Sequence, residues 1–112
     1  MEQIKLSEAI RKGAKMHPKC RGKLYTSRWD KQEKRCVVTG TCAMGAAYFG
    51  AGLHPGHGAF IESALGYSTS YVMAQHPITN DTLPLDNIIT RLNDFFGWSR
   101  PRIARWLESI GY

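Results

Sequence analysis

The sequence predicts an α+β fold, mostly helical, with a small β-hairpin over about 23–39 and a C-terminal helix-turn-helix-like pair over about 86–110. Three observations carry this. Two β-prone stretches flank a short charged loop. A run of small residues follows them. Apolar residues then recur at helical spacing on both sides of Gly97. At 112 residues the chain fits a single domain, 1–112, with roughly two-thirds of its unfolded surface buried. Hydrophobic content of 43% argues against global disorder.

The elements follow in order. Leu6, Ile10 and Ala14 share one face of a helix predicted over 6–16, with Ser7 as its cap. Gly13 weakens it by about 1 kcal/mol relative to Ala, and Pro18 ends it. Lys23–Trp29 and Arg35–Thr39 form the hairpin, joined by the charged stretch Asp30–Lys34. An isolated hairpin is marginal, so it must pack on helices or gain a strand. Thr41 is the expected cap of a central buried helix through Cys42–Phe49, whose Ala and Gly residues let neighbours approach closely; Gly50 and Gly52 close it. A turn-rich loop, 53–58, leads to a short helix at Ala59–Leu65. The stretch 66–84 reads as a short strand at Tyr71–Met73 and a long irregular connection, of the kind that is often functional or mobile.

The last two helices have the clearest signals. Asp86 is placed to cap the first, with Ile88, Ile89, Leu92, Phe95 and Phe96 as its apolar stripe. Gly97 stops it. Ser99 caps the second, Pro101 falls in its first turn, and Ile103, Trp106, Leu107 and Ile110 form its stripe.

Charge is uneven. The first 36 residues carry 11 Lys/Arg against 4 Asp/Glu, whereas residues 37–88 hold only Glu62, Asp81 and Asp86. The net charge of +6 suits a polyanionic partner, or simply a solvated surface. No apolar run reaches the ~20 residues of a membrane helix, and Met-Glu-Gln-Ile-Lys opens no signal-peptide core. A cytoplasmic location and no membrane partner are therefore expected. The three cysteines, an odd number, do not read as a disulfide framework.

From Ile89 to Ile110 the chain resembles the helix-turn-helix of phage repressors. Gly97 stands at the family's small turn residue, Trp98-Ser99 at its apolar and Ser pair, Ile103 at its buried aliphatic, and Arg105-Trp106-Leu107 at its common ending. The family usually has Ala or Gly where this chain has Asn93, and a buried Asn needs hydrogen-bond partners. The resemblance implies that the second helix enters the major groove with its N-terminal residues at base edges. Ser99, Arg100 and Arg102 are then the readers, and Arg91 and Arg105 meet phosphates. An ordinary αα-hairpin that only packs the domain explains the same pattern. Three further blocks, Leu6–Arg11, Thr41–Ala47 and Leu92–Asp94 with Trp98-Ser99 and Ile103-Ala104, are similar to a loose group of small uncharacterised bacterial and phage proteins. That group implies a phage-type origin and brings no activity with it.

Other chemistry is weakly signalled. Cys20, Cys36, Cys42, His54 and His57 lack paired zinc-ligand spacing, and Cys commonly acts as a small buried hydrophobe. Cys42 at a helix start beside a His would make a nucleophile pair, with no orienting third residue. No P-loop, dinucleotide fingerprint or H-E-x-x-H is present. Trp29, Tyr25 and Tyr71 offer stacking surfaces for bases or, more commonly, cross-strand packing. The expectation is a non-enzymatic phage-type accessory protein without cofactor or metal, binding nucleic acid through the C-terminal pair. The alternative is a protein-interaction module that docks on a host protein.

Overall fold

The computed structural model describes residues 3–112. Among them are five helices and two antiparallel hairpins. The order is α1 (Leu6–Ala14), β1 (Tyr25–Asp30), β2 (Arg35–Thr41), α2 (Ala43–Gly50), α3 (Glu62–Leu65), β3 (Met73–Gln75), β4 (Thr82–Pro84), α4 (Leu85–Asp94) and α5 (Arg100–Ser109). A single 3-10 turn, Pro55–His57, follows α2. No helix among the described residues is long and apolar enough to cross a membrane.

α2 is the centre. Ala43 to Ala47 are all buried, and α1, α4 and α5 pack around them. Its small residues serve backbone-to-backbone packing. A Cβ at Gly13 of α1 would stand 1.7 Å from the Ala46 carbonyl oxygen, and one at Gly50 would stand 1.8 Å from that of Ala9. The same holds for Gly45 against the Leu24 carbonyl, at 1.8 Å, where the first hairpin meets α2. Around this crossing Leu6, Ile10, Leu65, Leu85, Ile88, Ile89, Leu92, Ile103 and Leu107 close the core.

Several local expectations are corrected. Ser7 does not cap α1; Lys5 holds that position without a side-chain bond. Ser7 is buried instead, and its hydroxyl and N–H both reach the Tyr112 carbonyl, at 3.2 and 3.1 Å. Thr41 belongs to β2, and the cap of α2 is Cys42, whose Sγ accepts from the Gly45 N–H. Asp86 lies in the first turn of α4, its carboxylate held by the Ser70 hydroxyl at 2.7 Å. Phe95 and Phe96 are not core. The helix ends at Asp94, and Phe95 is 82% exposed.

The segment 66–84 is more ordered than its composition suggests. Met73↔Pro84 and Gln75↔Thr82 bound a second hairpin. His76 builds the turn, its Nδ1 accepting the N–H groups of Ile78 (3.1 Å) and Thr79 (3.2 Å), and its backbone bonding Asp81 and Asn80. An Nδ1 that accepts two bonds carries no proton, so His76 is held neutral. Its pKa is lowered first by desolvation and then by Arg91, against an opposing pull from Asp81.

Two outcomes test this packing. By helix propensity alone Gly13→Ala would gain about 1 kcal/mol. The crossing predicts a loss of about 1–3 kcal/mol or more, read as a lower urea midpoint, because backbone must move. For His76, a folded pKa below the unfolded 6.5 means its contribution is present above that pH and lost as pH falls through the lowered value. Stability measured from pH 7.5 downward should show this acid limb. His76→Asn, which accepts the same two N–H groups as an Asx-turn, should reduce it.

Candidate nucleic-acid interface

The turn between α4 and α5 is built as the Gly97 and Ser99 signals require. Gly97 has φ +66°, the left-handed region in which an L side chain is strained. The Trp98 N–H returns to the Leu92 carbonyl at 2.9 Å. Ser99 Oγ caps α5 by accepting from the Arg102 N–H at 3.2 Å, with Pro101 in the first turn. Ile103, Ala104 and Leu107 then face inward, mostly against α1, leaving Arg102, Arg105 and Ser109 on the outer face.

The expected site residues separate. Arg102 is exposed and lies over the Trp98 ring, its guanidinium carbon 3.9 Å from the ring centroid. Arg105 is exposed beside it, and both line a shallow groove of about 340 Å³ with Trp98, Trp106 and Ser109. Ser99 is occupied as a cap. Arg91 is exposed on α4 but lines a different cleft, with Asp86, Thr90 and Phe95. Arg100 is corrected: only 8% exposed, it donates to Thr41 Oγ1 at 2.9 Å and to the Ala14 carbonyl at 3.3 Å. Its guanidinium is spent inside the fold and does not reach a base edge. Spacing held the clue, since 100, 103, 104 and 107 share one helical phase.

The N-terminal basic segment joins this surface. Lys19 Nζ donates to the Trp98 carbonyl at 2.8 Å, and the Gly22 N–H donates to Asp94 Oδ1 at 3.0 Å. Arg21 lies over the turn, so that a Cβ at Gly97 would stand 3.2 Å from its guanidinium. Asn93 fastens the segment from beneath. It is fully buried, donates to the Cys20 carbonyl (3.0 Å) and Asp94 (2.8 Å), and accepts from the Ala43 N–H (3.2 Å). The departure from the repressor pattern is thus a working tie. Lys19 and Arg102 hold the same tryptophan, one at its carbonyl and one on its ring. Crowding is visible in Lys19, whose pKa is lowered by desolvation, then by Arg21 and Arg100, with only Asp94 opposing. No local signal in the sequence links residues 19–22 to residue 98.

The cysteines and histidines do not gather. No group of three or more His, Cys, Asp or Glu suited to a metal ion occurs among the described residues. Cys42 is buried and burial pushes its thiol pKa up, the reverse of nucleophile activation. His54 and His57 stack with ring centroids 4.0 Å apart, in a cluster with Tyr25 and Phe49.

The two arginines at the start of α5 should behave oppositely on substitution. Arg100→Ala should lower stability by about 2–3 kcal/mol in urea unfolding, because buried acceptors lose a charged donor. Arg102→Ala should cost no more than about 1 kcal/mol, the scale of an exposed cation–π contact.

No family model, curated protein or solved structure matches the chain.

Proposed function

We propose that this is a non-enzymatic, phage-type accessory protein that binds nucleic acid. The binding surface is the outer face of α5 together with the Lys19–Lys23 segment. One observation carries the reading. Residues 79 positions apart converge at the α4–α5 turn, so that Lys19 and Arg102 meet Trp98 and Arg21 lies over the neighbouring Gly97. Cations brought together by long-range contacts make a local positive field that neutralises phosphates and releases their counterions. Arg105 extends the field along α5, and Arg91 supplies a more distant phosphate contact.

A second reading, docking on a host protein, is favoured by one feature. Phe60 is 71% exposed and Phe95 82%, and both rim a cleft of about 560 Å³ between α2 and α4. Exposed aromatics around a cleft mark protein-docking surfaces. Ionic strength separates the two readings.

Labelled oligonucleotides, as duplex and as single strand, should raise in anisotropy with added protein, and the affinity should fall steeply between low and moderate salt. Arg102→Ala/Arg105→Ala should weaken binding by about tenfold or more at fixed salt and flatten the salt slope. Unchanged affinity in that double variant, or binding that ignores salt, would remove the α5 face from the function.

A further inference from the structure

Two tryptophans and two arginines share one groove along the outer face of α5 and the turn before it. The groove that holds Arg102 and Arg105 is also lined by Trp98 and Trp106. Trp106 also forms a wall of a second cleft, of about 520 Å³, with Tyr112, Ile110 and Pro77. Gln75 and Asn80 also line that cleft, and their side-chain amides offer paired donors and acceptors. A single indole therefore lines both a basic groove and a mixed polar and apolar cleft with amide side chains in its wall. Both tryptophans are half-buried, so their rings are braced by the fold.

This layout fits poorly with reading a duplex by a helix N-terminus. There the first residues of the helix must reach base edges. Here Ser99 caps the helix, Arg100 is buried, Pro101 has no polar side chain, and Arg102 lies on Trp98. Unpaired bases need something different: ring faces to stack on, arginine planes that extend the stack, and cations spaced along a backbone. The groove brings two indoles together with Arg102 and Arg105, and Lys19 and Arg21 lie at the adjoining turn.

We propose that the ligand of this surface is single-stranded nucleic acid, with successive bases stacked on Trp98 with Arg102 and on Trp106, and the backbone phosphates following Arg105, Lys19 and Arg21. The base on the far side of Trp106 enters the cleft beside Tyr112, where Gln75 and Asn80 meet its edge. This rests on the nucleic-acid reading above and narrows it to one strand form.

The test uses the full chain and two probes of matched length, an oligo-dT and a mixed-sequence duplex, at moderate salt. The single strand should bind at least tenfold more tightly. Trp29→Phe leaves Trp98 and Trp106 as the only tryptophans of the three, and their fluorescence should be quenched on adding oligo-dT. Trp106→Phe in the same background should weaken oligo-dT binding severalfold, in keeping with the loss of a large stacking face, while duplex binding changes little. Duplex bound as tightly as oligo-dT, or oligo-dT bound without quenching, overturns the single-strand assignment and leaves nucleic-acid binding standing. Failure of both probes to bind, even at low salt, overturns both. The comparison of the two probes needs no substitution, so it stands even if a tryptophan variant folds poorly.

Discussion

Backbone contact between α1 and α2 is the constraint on which the other elements depend. Gly13 and Gly50 place main chain against main chain at two points of one crossing. No side chain fits between them, so separation and angle are fixed by backbone, and a close-packed interior has little room to relax. Gly45 brings the Leu24 carbonyl equally close on another side of α2. A helix approached this way offers mostly small side chains, with Met44, Tyr48 and Phe49 its only large ones. It works as a post around which larger apolar side chains from α1, α4 and α5 are arranged.

Such a post must have its ends satisfied, because buried helix termini leave unpaired N–H groups. Asn93 takes the Ala43 N–H and Cys42 takes that of Gly45. The same polar layer continues outward. Arg100 joins Thr41 at the end of β2 to the Ala14 carbonyl at the end of α1, and Asn93 joins α2 to the loop at Cys20. Neither contact of Arg100 is to a carboxylate, so a buried charge is held by a hydroxyl and a carbonyl alone. Desolvation works against that charge and pulls its pKa down. Removing those acceptors would leave it costly to bury. The polar layer therefore fixes where α5 starts, and with it the placement of Trp98 and Arg102.

How much of this was legible follows from the range of each signal. The first hairpin, the central small-residue helix, the Gly97 stop and the Ser99 cap are local, and each appears where its residues place it. Caps failed at Ser7, Thr41 and Asp86 because tertiary partners claimed those side chains: Tyr112 for the first, Arg100 for the second and Ser70 for the third. Phe95 and Phe96 continue the apolar spacing of α4, but the chain leaves the helix at Asp94 and periodicity no longer predicts their direction. The second hairpin was hidden because its strands are three residues long and its turn depends on an imidazole. Of the proposed site, Arg102 and Arg105 were named through the resemblance to a helix-turn-helix. Lys19, Arg21 and the stacking faces of Trp98 and Trp106 were not, because only long-range contacts bring them to one surface.

The electrostatics of α5 bear on why such a surface exists. The N-terminus of a helix carries a partial positive charge and favours anions. Here Arg100 and Arg102 stand in its first turn, no acidic residue does, and Lys19 and Arg21 are packed beside it. Every one of these placements opposes the dipole. Asp94 is the carboxylate that moderates Lys19, and it is already shared by Gly22 and Asn93. For folding alone, an acidic residue at the start of α5 would serve better, by about 0.3–1 kcal/mol. Proteins depart from the locally stabilising choice most often where a site needs it. A polyanion laid across this turn, as proposed above, would offset the repulsion that Arg21 and Arg100 exert on Lys19.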